Sequence, residues 1–306
     1  MKNIVRFMIL LSYLILATSA FATTVESTVS VKWLEQNFKS PNLKIIEMSD
    51  NSSFAFNGHI PGAVFTNKSD WRYQAKDGSL VHFSVKILEK KIQDLGINDE
   101  DGVVIYYKGN NLNEILGAHY LFWLFHYLGH TNVGILNTGW HGWTKVKAPT
   151  SNDGEKIKKG NFKAKPIKAL EISTNELYAI HNAYNVIDAR PHNYFLGLGK
   201  FPSNTRYGRI ANSISQPWSD FLITDKNGLI YIDTSKSVPL LKAKILTKNQ
   251  PILLTCFGGT GAAIDYFMFY ANGYQNLRVH DEGLRRWNSQ NYPLAISESV
   301  YDMMQK

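Results

Sequence analysis

The chain has 306 residues and one cysteine, Cys256, which opens the sequence CFGGTGAA. An apolar run precedes this cysteine, and a second apolar run follows the glycines at 258, 259 and 261. Glycines allow backbone conformations that direct several N–H groups into one concavity, and a helix N-terminus adds partial positive charge. Both effects stabilise a thiolate and lower its pKa, so Cys256 is a candidate nucleophile. The same stretch also fits a small buried thiol in a tight strand-to-helix turn.

The order of elements around Cys256 occurs twice along the chain. Three segments of the first half are KIIE (44–47), GHIPGAVF (58–65) and VVIYY (103–107). Their counterparts in the second half are NVID (185–188), GRIANSIS (208–215) and PILLT (251–255). In each half a helical stretch then ends at a glycine, and a tryptophan follows at the same distance, Gly129 to Trp143 and Gly273 to Trp287. A matched series in one order indicates an internal repeat.

Each half alternates short apolar runs, typical of strands buried on both faces, with longer helical patterns. This alternation predicts an α/β fold of two domains, each a mainly parallel sheet flanked by helices. The segment 145–166 is rich in Lys, Gly, Ser and Pro and is interpreted as a surface linker. We predict domains over residues 23–150 and 151–306. Cys256 then lies at the carboxyl end of a central strand, where α/β sheets bind ligands.

The first 22 residues differ from the rest of the chain. Basic residues precede an apolar stretch that is short for a bilayer span, and Ala20-Phe21-Ala22 fits a cleavage site. We predict a signal peptide over residues 1–22 and a periplasmic or secreted protein with no stable membrane insertion after cleavage. An uncleaved anchor is the alternative. In an oxidising compartment an exposed thiol without a purpose is a liability, which favours a chemical use for Cys256.

Charge and histidine positions limit the other functions. The net charge of +8 favours anionic partners, but no long Lys/Arg run with interleaved aromatic residues indicates a nucleic-acid surface. His119, His126 and His130 lie on or just after one predicted helix, yet zinc needs three or four converging ligands, so a metal site is not favoured. A phosphatase of this loop type needs an arginine six residues after the cysteine, where Ala262 stands.

Several motifs, in this order, resemble those of the tandem-domain rhodanese family, the thiosulfate and 3-mercaptopyruvate sulfurtransferases. GHIPGAVF resembles the family's Gly-His-Ile-x-Gly-Ala signature, VIDAR (186–190) its strand-end Asp-x-Arg, and CFGGTGAA its six-residue active loop. GRIANSISQPW (208–218) resembles a degraded copy of the signature, and VHDEGLRRW (279–287) resembles the end of the last core strand. The resemblance covers nearly all of the chain after residue 22 and implies two rhodanese-like domains.

The resemblance also implies a role for each residue of the second-half site. Cys256 would take a sulfur from a small anionic donor as a persulfide and pass it to a thiophilic acceptor, with no cofactor and no metal. The loop residues that would hold the sulfur and the donor are Phe257, Gly258, Gly259, Thr260 and Gly261. Arg190 would hold the anionic end of the donor through its guanidinium fork. The alternative for Arg190 is a structural salt bridge with Asp188.

The loop departs from the family in ways that bear on the donor. Phe257, Gly258 and Gly259 supply neither the cationic side chains of the thiosulfate type nor the hydroxyl of the mercaptopyruvate type. Phe257 could form an apolar lip over the pocket or pack inward. We therefore expect weak thiosulfate activity and a preference for a carboxylate-bearing or larger thiol donor.

The first half has no cysteine at the matching place, where YYKGNNLNEI (106–115) follows the strand. We expect this half to be catalytically silent and to form one wall of the pocket. The main alternative to an enzyme is a sulfur-carrier or binding module. Such a module would keep a persulfide, turn over no small molecule, and pass sulfur to a protein partner.

Overall fold

The computed structural model describes residues 23–154, 156–199, 206–235 and 246–296. The predicted signal peptide, residues 1–22, lies outside the described residues and stays a prediction. Among the helices in these described ranges, none is both long enough and apolar enough to span a bilayer.

The first half contains seven strands, five of which form one parallel sheet. The strands are β1 (Thr28–Val29), β2 (Leu43–Met48), β3 (Ala63–Thr66), β4 (Arg72–Gln74), β5 (Leu80–His82), β6 (Gly102–Tyr107) and β7 (Val133–Leu136). The sheet has the order β1-β7-β6-β2-β3, and β4 and β5 form a separate antiparallel hairpin. The helices are α1 (Val31–Asn37), α2 (Asn51–Phe56), α3 (Val85–Asp94), α4 (Leu112–Tyr127) and α5 (Gly139–Lys145).

The second half repeats this plan with a smaller sheet. Its strands are β8 (Asn185–Asp188), β9 (Ile214–Ser215), β10 (Leu222–Thr224), β11 (Ile230–Ile232), β12 (Ile252–Thr255) and β13 (Leu277–Val279). The parallel sheet has the order β13-β12-β8-β9, and β10 pairs with β11 as a second antiparallel hairpin. The helices are α6 (Thr174–Ile180), α7 (His192–Leu196), α8 (Thr260–Ala271) and α9 (Gly283–Ser289).

The central strands and the two longest helices account for the apolar runs in the sequence. Every residue of β6 and of β12 is buried, as the unbroken apolar runs predict for strands covered on both faces. Helices α4 and α8 are buried on nearly all sides because they pack against each other between the two halves. One continuous core therefore joins the halves.

The predicted repeat is visible in single hydrogen bonds. The indole Nε1 of Trp143 donates to the carbonyl oxygen of Pro149 at 2.8 Å, and Nε1 of Trp287 donates to that of Pro293 at 3.0 Å. Both indoles are fully buried. The equal spacing of the tryptophans along the chain thus reflects equal positions in the two halves.

The segment between the halves is held more firmly than its composition suggests. Phe162 is buried in the shared core, and its backbone N–H donates to the carbonyl oxygen of Ile97. Further along, the N–H of Lys165 donates to the carbonyl oxygen of Leu128. The predicted surface linker is therefore anchored to the first half by one aromatic side chain and by backbone pairing.

The two hairpins are exchanged between the halves, an arrangement that the sequence did not predict. The first hairpin, β4–β5, packs on the cysteine loop, and its His82 N–H donates to Oδ2 of Asp281 at 2.8 Å. The second hairpin, β10–β11, packs on the corresponding loop of the first half, where the N–H of Ile230 donates to the carbonyl oxygen of Gly109 at 2.8 Å. Each loop is therefore covered by the opposite half.

Candidate active site

Cys256 lies where the sequence predicted it, between β12 and α8 at the carboxyl end of the second sheet. The residue is 4% exposed, and its carbonyl oxygen accepts a hydrogen bond from the N–H of Leu284 at 2.8 Å. Gly259 precedes α8 with a φ of 80°, a conformation that favours glycine. A Cβ on this residue would also overlap the Asp281 carboxylate. Both the backbone conformation and the lack of space therefore require glycine at this position.

The pKa of the Cys256 thiol differs from the sequence-based expectation. Burial raises this pKa above its ordinary value, although the backbone N–H groups of Ala262, Gly258 and Gly261 and the nearby Arg72 charge act in the opposite direction. The expected lowering is therefore wrong as a net effect, because desolvation of the thiolate outweighs the loop amides. The amides nevertheless converge on the sulfur as the glycines predicted.

A cavity of about 250 Å³ opens over the cysteine. Six of the seven predicted site residues line it: Cys256, Arg190, Phe257, Gly258, Thr260 and Gly261. Gly259 is the exception, and its contribution is to turn the chain into α8. Trp218 closes one side; a Cβ on Gly261 would approach its Cδ1 to 2.6 Å, so this glycine allows the indole to lie against the loop.

Arg190 lines the cavity but is engaged by the protein itself. Its Nε donates to both carboxylate oxygens of Asp188 at 2.9 and 3.0 Å, and its Nη2 donates to Oδ2 of Asp188 and to the carbonyl oxygen of Gly208 at 2.6 and 2.9 Å. The salt bridge that the sequence left open as an alternative is therefore present. It holds Arg190 at the strand end, and a contact with the donor stays a prediction.

Phe257 forms part of the cavity wall. Its ring packs edge-to-face on Tyr194 with 5.0 Å between ring centroids, and the Arg190 guanidinium lies 5.3 Å from the ring centroid. The side chain is half-buried. Of the two positions considered from the sequence, the structure agrees with an apolar lip at the cavity.

Three cationic residues that sequence reasoning missed also line the cavity: Lys68, Arg72 and Arg285. Lys68 lies in a short 3₁₀ turn, Lys68–Asp70, just before the first hairpin, Arg72 opens β4, and Arg285 lies on α9. Two of them belong to the first half, which we expected only to form a wall. The exchanged hairpin explains why neither was found, since no local pattern places them beside Cys256.

Arg72 is fixed by a buried acid. Its Nη2 donates to the carbonyl oxygen of Leu80 at 2.5 Å and lies 3.4 Å from Oδ1 of Asp281. Asp281 also accepts hydrogen bonds from the Tyr120 hydroxyl at 2.8 Å and from the His82 N–H. Burial raises the pKa of Asp281, whereas the charges of Arg72 and His82 lower it. This acid therefore orients Arg72 across the boundary between the halves.

One group of side chains has the composition of a metal site. The ligand atoms of His82, Glu171 and Asp281 lie within 4.8 Å of one another. Burial lowers the pKa of His82, but the hydrogen bond to Glu171 and the charges of both acids raise it to about 9. A protonated His82 and the Arg72 guanidinium already neutralise these acids, so the group is better explained as an ion-pair network. His126, considered above as a ligand, instead lies with Nδ1 2.9 Å from the Tyr266 hydroxyl.

Comparison with known proteins defines the class. The rhodanese-like domain family matches residues 30–146 and again residues 173–290. The chain therefore belongs to the rhodanese family and carries two rhodanese-like domains in tandem, as the resemblance of its motifs implied.

Three relatives that span most of this chain are named for sulfur transfer. The thiosulfate sulfurtransferase of Mus musculus is 26% identical and covers 85% of this chain and 91% of its own length. The thiosulfate sulfurtransferase of Corynebacterium glutamicum is 25% identical, with 90% and 92% covered. The sulfur carrier protein TtuD of Thermus thermophilus is 26% identical, with 89% and 98% covered. Two of these relatives are thus named as thiosulfate sulfurtransferases and one as a sulfur carrier.

A solved structure supports the fold. SseA from Escherichia coli, a 3-mercaptopyruvate sulfurtransferase, superposes with a TM-score of 0.67 at 20% identity and covers 85% of this chain and 99% of its own. At this identity the likeness supports the arrangement of both domains and not the choice of substrate.

Proposed function

We propose that this protein is an enzyme that moves a sulfane sulfur from a small anionic donor to a thiophilic acceptor through a persulfide on Cys256. The observation that carries the proposal is the single thiol at the base of a cavity, with the N–H groups of Ala262, Gly258 and Gly261 directed at its sulfur. The candidate donors are thiosulfate and mercaptopyruvate-like thiols.

Each half-reaction conserves atoms and electrons. The Cys256 thiol first loses its proton to solvent. The thiolate then attacks the outer sulfur of the donor and forms a new S–S bond. The donor's bond to that sulfur breaks, and its electron pair leaves on sulfite when the donor is thiosulfate. When the donor is 3-mercaptopyruvate, the electron pair of the C–S bond leaves on the enolate of pyruvate, which takes up a proton from solvent. A nucleophile such as cyanide then attacks the terminal persulfide sulfur, leaves as thiocyanate, and returns Cys256 to the thiolate.

The cavity suits these charged intermediates. A persulfide and a thiolate on Cys256 each carry a negative charge on a residue that is only 4% exposed. Loop N–H groups and nearby cations supply fixed positive poles there, and such preorganised donors are worth more in a low-dielectric site than in water. Burial raises the pKa of the Cys256 thiol, and a protonated thiol is oxidised less readily than a thiolate.

Mass spectrometry of the intact protein after incubation with thiosulfate or 3-mercaptopyruvate tests the persulfide. We expect the wild-type mass to increase by one sulfur atom and to return to its starting value after cyanide is added. Cys256→Ser is nearly isosteric and should show no added sulfur and no thiocyanate formation while unfolding like wild type. Thiocyanate formation by Cys256→Ser near the wild-type rate would contradict the mechanism.

A sulfur carrier is the second candidate, and the similarity to TtuD, a protein named as a sulfur carrier, favours keeping it. A carrier would form the persulfide once and release it only to a protein partner. Steady-state cyanide-dependent thiocyanate formation distinguishes the two, since an enzyme turns over many times per Cys256 and a carrier does not.

A further inference from the structure

The charge around Cys256 is distributed in an unexpected way. Among the described residues that line the cavity, four are cationic, namely Lys68, Arg72, Arg190 and Arg285, and none is acidic. Arg190 is bonded to both oxygens of Asp188 and contributes little net charge. The positive charge available to a bound anion therefore comes chiefly from the other three residues, all outside the cysteine loop.

Two of these three cations donate hydrogen bonds to neutral oxygens. Lys68 donates through Nζ to the neutral amide oxygen of Asn113, and Arg285 donates through Nη1 to the carbonyl oxygen of Gly78 at 3.4 Å. Arg72 lies near the Asp281 carboxylate, which also serves Tyr120 and His82. Its buried Nε has no hydrogen-bond partner within the described part of the chain.

The cations also repel one another. Burial lowers the pKa of Lys68, and the charges of Arg72 and Arg285 lower it further. Burial likewise lowers the pKa of Arg285, again with a contribution from Arg72, whereas a negative Cys256 raises it. Like charges held together in a partly buried space are stabilised by an anion placed between them. The cavity is therefore built to receive negative charge beyond that of the thiolate.

We propose that Lys68, Arg72 and Arg285 together bind the anionic end of the sulfur donor, so that the silent half supplies the charge that the cysteine loop lacks. The inference rests on the proposed sulfur transfer at Cys256 and assigns the residues that select its donor. Two arginine forks and an ammonium match a compact oxyanion with two negative charges better than one carboxylate. This reverses the donor preference expected from the loop sequence alone.

Binding can be measured apart from turnover. The parent for this measurement is the full chain with Cys256→Ser, and Arg72→Gln, Arg285→Gln or Lys68→Gln is added to it one at a time. Thiosulfate binding to the parent and to each double variant is measured by calorimetry. Each loses one charge-assisted contact, and we expect each to weaken thiosulfate binding about 10-fold or more. Lys90→Gln is the matched control, because Lys90 is an exposed cation of α3 paired with Asp94, and it should bind like the parent.

Turnover then tests donor choice with Cys256 restored. We expect each of the three variants to raise KM for thiosulfate more than KM for 3-mercaptopyruvate, and Arg72→Lys to recover part of the loss. Thermal unfolding identifies any variant that fails to fold, and the remaining variants still decide the question. Binding within about twofold of the parent in every folded variant would overturn the proposal. That result differs from failure of the proposed function, in which wild type gains no sulfur from either donor.

Discussion

The loop after β6 and the loop after β12 occupy the same place in two similar sheets, yet only one holds a thiol. In the first half Tyr107 ends the strand, and its hydroxyl accepts a hydrogen bond from the N–H of Ile232 at 2.9 Å. The next residue, Lys108, is buried, and its Nζ lies 3.6 Å from Oε1 of Glu47. In the second half, Cys256 faces a cavity instead. The scaffold therefore permits a site in both halves, and side chains decide which half has one.

The covering hairpins differ in the same sense. In the first hairpin Arg72 pairs with His82, whereas in the second hairpin Leu222 pairs with Ile232. The hairpin over the cysteine loop thus presents an arginine, and the hairpin over the loop after β6 presents apolar residues. The lining of the cavity over Cys256 therefore depends on what the opposite half contributes as well as on the loop itself.

Replacing the glycine at each loop gives the sharpest test of this comparison. Gly259 and Gly109 have φ values of 80° and 84°, and a Cβ would overlap Asp281 at the first and the Ile230 backbone at the second. Each change to alanine should destabilise the fold by about 2–4 kcal/mol. Only Gly259→Ala should also lower kcat, by about 100-fold, because it displaces the sulfur and its amides.

Denaturant unfolding and thiocyanate formation, measured on both variants, check this expectation. Gly109→Ala should keep kcat close to the wild-type value when rates are referred to folded protein. Equal losses of kcat in both variants would show that the loops are coupled and that the first half is not catalytically silent.

The pH dependence of donor attack is the next largest effect. Because burial raises the pKa of Cys256, kcat/KM for thiosulfate should rise about tenfold per pH unit below that pKa and level off only above the ordinary range of a cysteine thiol. Arg72 favours the thiolate, so Arg72→Gln should move the profile to higher pH. Stopped-flow persulfide formation between pH 6 and 10 provides the measurement. A profile already flat at pH 7 would contradict the role of burial.

The smallest effect should be the same in both halves. Trp143→Phe and Trp287→Phe each remove one buried indole hydrogen bond to a proline carbonyl. We expect each to lower the free energy of unfolding by about 1–3 kcal/mol, with no preferential loss of activity for either. Urea denaturation of both variants is the measurement. A large difference between them would show that the repeat is conserved in sequence spacing but not in stability.

The sequence was sufficient for the fold and for the reactive loop because both are encoded locally. Apolar runs, glycine stops and the doubled order of motifs predicted parallel sheets in two halves, and Cys256 lies at the predicted strand end. The glycine at 259 marked a backbone position with positive φ, which glycine adopts without strain.

The remaining part of the site depends on contacts between distant segments. Arg72 comes beside Cys256 only because the β4–β5 hairpin packs on the other half. The spacing of apolar residues along the sequence does not indicate that contact. The direction of the pKa shift of Cys256 could not be predicted from the sequence either, since it depends on how fully the loop is buried. The internal repeat held one usable signal: a basic residue, Arg72, stands where the second half has Leu222.

The exchanged hairpins make substitutions in one half affect the loop of the other half. Each half covers the loop of the other, as the two subunits of a twofold-symmetric dimer would, but here both halves belong to one chain. A substitution on the β4–β5 hairpin alters the surroundings of Cys256, although it falls in the half that has no thiol. Each half is therefore constrained in two places: at the hairpin that it extends over the other half, and at its own loop, where Gly109 and Gly259 leave no room for a Cβ.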